Sequence, residues 1–410
     1  MTHRERVRAA LDFEVTDHTP MDLGGMLSTG ISCFAYPKLV KALGLPPRPP
    51  KIHDPYQMLA LVDADVLDAL DCDVATLHLD MTNAFDQPAL WQPYDFGGRL
   101  EALVRDPSAF EVEPDGTVVQ PGAAVRMPPG AHVFEQAHGG QPFSLEGDLP
   151  QPDLAAIDAE LTRQQPAEAD VARIAEFARK ARAATDRAIF FNGPPAGIGI
   201  GNFTGIACFP MLCMTQPGFV HELHELVIDH AVRAIERILP AVAPHIDIYM
   251  VAADDWGTQA NLVAAPAVYE DLFQPYYRRV NDTIHALAPD VKTFLHSCGA
   301  VYPLIDQFIA SGFDILNPVQ WTAGNQPPRA WKDKAQGRIA LWGGGVNAQA
   351  TLPLGSADDV AREVAELTAV LGRGSGYVFN SIHNILAEIP PEKVIALYRT
   401  AAAVHLASAL

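Results

Sequence analysis

The sequence predicts an α/β fold: a (β/α)₈ TIM barrel with an inserted hairpin or lid region near residues 81–150. Three observations carry that expectation. Short apolar runs alternate with helix-period segments along most of the chain, eight such runs can be counted, and polar residues recur where the runs end. Near-continuous apolar strands separated by helices form a parallel sheet covered on both faces. Eight of them in βα rhythm favour closure into a barrel over an open doubly wound sheet.

In order, the candidate strands are "HTPMDLGG" (18–25), "CDVATLHL" (72–79), "AIFFNG" (188–193), "IDIYMVAADD" (246–255), "VKTFLHSCG" (291–299), "FDILNPVQ" (313–320), "RIALWGGGVN" (338–347) and "YVFNSIHNI" (377–385). Helices are expected over 217–239, 266–288 and 356–372, the last with a Ser cap and an acidic first turn. Residues 151–186 also read as helical. Residues 81–150 break the rhythm with Gly/Pro turns and short alternating pieces ("GRLEALV", "GTVVQPG", "AHVFEQ"). They read as hairpins inserted into one 1–410 barrel domain, not as a separate domain.

Composition narrows the function. With 49% hydrophobic and 19% charged residues the chain can build a large core. A formal charge of −20 without a Lys/Arg cluster makes it a poor binder of nucleic acid or anionic membranes. Five scattered cysteines fit a reducing cytosol better than a disulfide framework. The opening "MTHRERVRAALDFE" lacks the apolar region of a signal peptide, and no apolar run reaches membrane-spanning length. A cytoplasmic protein is expected.

The most informative stretch is "FLHSCG" (294–299). Residues i and i+2 of a strand share a face, so His296 and Cys298 are expected to project together at the strand's C-terminal end, where barrel enzymes keep their chemistry. Gly299 lets the chain turn away. Zinc needs a third protein ligand and an open position. His383, near the end of the last strand, is the preferred candidate, with Cys208 and Cys213 as alternatives. A packed core His and Cys, or a Cys nucleophile beside His296, are the competing readings.

Other strand ends carry polar groups. Asp254 and Asp255 follow the fourth strand. Adjacent residues point to opposite sides, so one can face the mouth while the other orients a ligand, caps a helix or is itself a ligand. Substrate-contact candidates are Asp22, His78 (with Asp80), Asn192, Asn317, Gln320, Trp342 and Asn347, any of which could instead serve a turn or cap. Three motifs mislead. "HELHE" (221–225) lacks the H-E-x-x-H spacing and sits on an exposed-looking helix. "GIGIGNFTG" (197–205) has Thr204 where a dinucleotide loop needs its third Gly. "GGG" (343–345) lacks the Lys and Ser/Thr of a phosphate loop.

Taken together, "MTHRERVRAALDFEVTDHTPMDLGG", "DDWGTQ", "FLHSCGAVYPLIDQFIASGFDILNPVQ", "LWGGGVNAQATLPLGSADDVAREV" and "GYVFNSIHNILAEIPPEKVIALY" resemble the uroporphyrinogen decarboxylase superfamily, and within it the cobalamin-related, zinc-dependent methyltransferases. The resemblance implies a barrel with its site at the C-terminal mouth and zinc held by an H-x-C pair plus a later Cys. His296 and Cys298 match the pair, while His383 stands where that Cys is expected. A His/Cys/His site with one thiolate would make zinc more electrophilic and suit an ether or hydroxyl oxygen. The Arg-rich N-terminal motif that holds a polycarboxylated porphyrin is missing from "GMLSTGISCFAYPKLVKALG", so uroporphyrinogen itself is not the expected substrate.

The resulting expectation is a zinc-dependent methyltransferase or demethylase. It would move a methyl group from a small-molecule heteroatom to a corrinoid, carried by a partner protein, or to a thiol. Asp254 or Asp255 would orient or protonate that heteroatom, and a homodimer is compatible with the reading. The alternatives are a metal-independent decarboxylase or lyase using Asp22 or Asp254, and a non-catalytic barrel that binds a small ligand or tetrapyrrole.

Overall fold

A computed structural model describes residues 1–78, 88–136 and 149–404. Seven parallel strands form the main sheet: β1 (Val74–His78), β2 (Ala188–Asn192), β3 (Ile248–Ala253), β4 (Lys292–His296), β5 (Ile315–Asn317), β6 (Ala340–Trp342) and β7 (Tyr377–Val378). Each pairs with its sequence neighbour, as successive right-handed βα units require.

The first of the eight predicted strands is reduced to an isolated bridge that closes the ring. Met21 pairs in parallel with Phe379. On that side the Asp22 amide donates to Phe379 O (2.9 Å), and on the other the Asp73 amide donates to Met21 O (2.7 Å). A regular strand cannot form here. Pro20 has no N–H, the Met21 N–H is taken by the Asp73 carboxylate (2.8 Å), and Gly24 turns the chain at φ +86°.

Period-2 alternation organises the interior. Val74, Phe190, Phe294, Ile315 and Ala340 point inward and form one cluster with Trp342, sealed below by Val7 and Leu11 of the first helix, His3–Leu11. Phe190, Phe294 and Trp342 meet edge to face, contacts worth about 0.5–1.5 kcal/mol per pair beyond their burial. Two residues further along β2, β4 and β5, and four along β1, the same face reaches the C-terminal mouth. This is why His78, Asn192, His296 and Asn317 form a layer there, in register as neighbours His78–Asn192 and His296–Asn317.

The helices follow expectation in outline. Pro217–Val242 and Ala357–Leu371 match their predicted spans, and Ser356 makes a full capping box with Asp359. The 266–288 segment is two helices, Pro266–Leu272 and Gln274–Leu287. "HELHE" is not on an exposed face throughout. His224 is fully buried with Nδ1 on Leu272 O at 2.7 Å. The described part of the insertion holds a two-stranded antiparallel sheet (Gln92–Asp95, Glu101–Val104) and a four-stranded one ending at Glu135–Gln136. Asp80 and residues 137–148 lie outside the described residues. Among the described helices none is long and apolar enough to cross a membrane.

Candidate metal centre and mouth cavity

Strand β4 ends at His296, so Cys298 is not a strand residue as the alternation argument assumed. The turn returns it to the same place by other means. Gly299 adopts φ +87° and packs on Gly257 so closely that a Cβ on either would overlap the other's backbone. The Gly299 amide donates to Gln320 Oε1 (2.7 Å), and the Cys298 amide donates to Asp255 Oδ1 (2.9 Å). Gln320 therefore braces the turn.

The result is a three-donor group. Oxygen of Asp255, nitrogen of His296 and sulfur of Cys298 all lie within 4.8 Å of one another. The imidazole is oriented from behind. Asn317 Nδ2 donates to Trp342 O (3.1 Å), which turns its Oδ1 toward His296 Nδ1 at 2.6 Å. With Nδ1 carrying the proton, the lone pair of Nε2 is free, and it faces Asp255 Oδ1 at 3.6 Å. A carboxylate, an imidazole and a thiol with an outer hydrogen-bond partner fit the three-ligand plan of a reactive zinc site.

His383, the preferred third ligand from sequence, approaches this group without belonging to it. Its ring centroid is 5.8 Å from that of His296 in an edge-to-face arrangement. Asp255 takes the third place because its strand carries a register shift between Met250 and Ala252. The extra residue rephases the end of β3, and sequence gave no sign of it. Cys208 and Cys213 are buried around the helix Phe209–Thr215 and join no metal-capable group among the described residues.

Electrostatics follow burial and pairing. Burial raises the Asp255 carboxyl, but the His296 imidazole and the Cys298 amide outweigh it and hold it below the ordinary range. Burial, with Asp255 adding, pushes the Cys298 thiol up to about 12 in the metal-free protein. Burial, with His296 adding, lowers His383 to about 4, so its ring is neutral at pH 7.

Asp254 points away from Asp255 into a cavity of about 710 Å³ at the mouth. The cavity is lined also by His78, Asn192, Gln57, Met26 and Met250, and among the described residues no Arg or Lys lines it. Asp254 is 3% exposed and its Oδ2 has no hydrogen-bond partner among the described residues. Burial, with the Asp255 charge adding, pushes it up to about 8. The "GIGIG" run finds its physical reason here. A Cβ at Gly199 would lie 2.5 Å from Asp254 Oδ1, and one at Gly197 3.2 Å, so these glycines make room for the carboxyl, not for a phosphate.

Of the other substrate-contact candidates, only His78 and Asn192 line this cavity. Asn192 Nδ2 is anchored on Thr76 Oγ1 (3.1 Å), and the His78 ring packs edge to face on His53 at 4.6 Å. Asp22 and Trp342 are corrected: both are fully buried in the barrel, with the indole N–H donating to Asp22 Oδ2 at 3.0 Å. Asn317 is likewise fully buried and serves His296. Asn347 is a turn residue whose Oδ1 accepts from the amides of Gln349 and Ala350, both at 3.0 Å. Gln57 and Met26 come from loops around short elements that carry no sequence signature. They were not anticipated.

The model of the family "Uroporphyrinogen decarboxylase (URO-D)" matches residues 201–404. The uroporphyrinogen decarboxylase of Syntrophotalea carbinolica is 26% identical over 257 residues, 61% of this chain and 70% of that one. That of Legionella pneumophila (strain Corby) is 26% identical over 171 residues, which span 42% of this chain and only 45% of the relative's length. Among solved structures, a methyltransferase from Methanosarcina mazei is 15% identical, with 98% of each chain covered and a TM-score of 0.53, a likeness of fold. With the barrel, its mouth and these matches in hand, the chain is similar to the uroporphyrinogen decarboxylase superfamily, whose family model covers its C-terminal part from residue 201 to residue 404.

Proposed function

We propose that this protein is a zinc-dependent methyltransferase that takes a methyl group from a heteroatom of a small molecule and delivers it to a corrinoid or thiol acceptor. The observation that carries the reading is the Asp255–His296–Cys298 donor group with its Asn317 brace. These three residues would hold the ion, with the His383 ring packed beside that of His296. Bound there, zinc would serve as a Lewis acid toward the heteroatom that bears the methyl group. The Methanosarcina methyltransferase of like fold supports the reaction class by analogy.

The chain's own residues supply the rest. Asp254, kept protonated at neutral pH by burial, has a proton to donate to an oxygen or nitrogen in the cavity. Asn192 and His78 line the same wall and orient the ligand. A corrinoid would be carried by a partner protein, and the site of action would be the cytoplasm.

A decarboxylase is the second reading. It is favoured by the names of the curated relatives and by Asp254 acting alone as the proton donor. The cavity lining, without Arg or Lys among the described residues, disfavours a polycarboxylate such as uroporphyrinogen. The test is metal analysis of the purified protein beside His296→Ala and Asp255→Ala. One zinc per chain, lost in both variants while the fold is kept, is the expected result. Absence of stoichiometric metal from the wild type would remove the methyl-transfer reading and leave the decarboxylase.

A further inference from the structure

A second cavity, of about 500 Å³, adjoins the one over Asp254. Gln57 lines both. Its side chain is fixed between them: Nε2 donates to Asp54 Oδ2 (2.9 Å) and Oε1 accepts from Asn384 Nδ2 (3.0 Å). Asn384 is held in turn by Leu27 O (2.9 Å) and the Gly30 amide (2.7 Å). Two locked amides thus form a partition, not a mobile flap.

The second cavity has its own chemistry. Four rings wall it, those of Tyr56, His132, Phe134 and His383, together with aliphatic side chains such as Leu59 and Ile385. Glu388 is its lining carboxylate, 3.2 Å from His132 Nδ1, and among the described residues no Arg or Lys faces it. The rim stays apolar and open: Val133 is 44% exposed and Leu386 52%. The inner end is the His383 ring, whose neighbour is His296.

We propose that this cavity is a second small-molecule subsite, which takes an uncharged aromatic ligand separately from the ligand over Asp254. The volume is that of a small-ligand site. Rings at several angles offer edge-to-face contacts to an aromatic body. A carboxylate without a facing Lys or Arg repels anions. The methyl-transfer reading matters only for the role of this ligand. On that reading, one reactant meets the donor group from the Asp254 side and the other from the His383 side.

The experiment titrates the chelator-treated full-length protein with anisole and, separately, with benzoate, by calorimetry or ligand-observed NMR. Anisole is expected to bind and benzoate to bind at least about tenfold more weakly. Val133→Trp and Leu386→Trp, both on the exposed rim, are each expected to weaken anisole at least about tenfold. Ser28→Trp, in the wall of the other cavity, should leave it within about twofold. Two rim variants guard against one failing to fold, which thermal melting reports. No anisole binding by the wild type, equal binding of benzoate, or wild-type affinity in a folded rim variant would overturn the proposal. Zinc content of the same preparations, measured before the chelator treatment, reads the methyl-transfer proposal independently, because the titration itself is done without metal.

Discussion

The two ends of the barrel treat buried acids in opposite ways. At the N-terminal end each acid just ahead of a strand has a basic partner. Asp73, before β1, receives Arg6, His3 Nδ1 (2.8 Å) and the Met21 amide. Asp247, before β3, receives Arg4 Nε (2.8 Å), Arg182 (3.4 Å) and the Ile189 amide (3.0 Å). Asp314, before β5, receives His285 Nε2 and the Thr293 amide. At the mouth, Asp254 keeps an oxygen without a partner among the described residues, and inside the barrel Asp22 accepts from the Gly25 amide and the Trp342 indole without a cation. Burial pushes Asp254 up to about 8 and Asp22 up to about 6. Pairing makes a buried acid part of the scaffold. Lack of pairing leaves one as a protonated group available to a ligand, and in this fold class ligands sit at the mouth.

The largest effect should come from breaking the paired end. Arg6 links helix His3–Leu11 to Asp73 and to Asp17, whose carboxyl it holds well below the usual range. Arg6→Ala leaves Asp73 without its guanidinium partner and should lower stability by about 3–5 kcal/mol in urea unfolding, with zinc content unchanged. A loss confined to a few tenths would mean that His3 and the backbone satisfy Asp73 alone.

At the other end, Asp254→Asn should do the reverse: activity falls on the order of 10²- to 10⁴-fold while stability holds or rises. Its pH signature has a definite sign. The folded-state value of about 8 stands above the unfolded value of about 3.9, so the folded state binds more protons between them. Stability from this group is therefore complete below about pH 4 and is lost as pH rises toward 8. The Asn variant should lose that slope. An unchanged slope would show that Asp254 is ionised in the fold and that the two ends do not differ as described.

A smaller effect tests the brace. Asn317→Leu removes the acceptor at His296 Nδ1 and should weaken zinc binding about 10- to 100-fold in competition with a chelator, without removing any of the three donors. Wild-type affinity would make Asn317 a packing residue only.

How much of this was legible beforehand depended on the kind of physics involved. Seven strand positions were visible because apolar runs and period-2 alternation are local properties, and alternation alone brings His78, Asn192, His296 and Asn317 to one layer. The bridge at Met21 was overread as a strand, since its hydrogen bonds are set by Pro20 and by a carboxylate 52 residues away. The third member of the donor group differs from the expected one for a similar reason. In the sequence His383 reads as the end of the last strand, but β7 stops at Val378, and a bulge in β3 brings Asp255 to the group. Bulges, partitions such as Gln57–Asn384, and the difference between Asp22 inside the barrel and Asp254 at its mouth depend on contacts between distant segments. Such contacts leave no periodic trace.

The smallest prediction concerns an exception at the N-terminal end. Lys332, in the helix Pro328–Ala335, is 1% exposed, and its Nζ donates to Ser375 O just ahead of β7. Among the described residues it pairs with no carboxylate, and its neighbour Arg373 is paired with Asp333. Burial, with Arg373 adding, lowers it to about 7. The unfolded chain, with a value near 10.4, then binds more protons between about pH 7 and pH 10, so stability from this group rises with pH across that window. Lys332→Met should abolish the rise and stay within about 1 kcal/mol of wild type at pH 7, because Met replaces the stem and removes a poorly solvated charge. If the variant instead lost as much as Arg6→Ala, Lys332 would be charged and paired like the other cations of that end. If it loses little, pairing and not position in the barrel separates the acids that hold the fold from those left for chemistry.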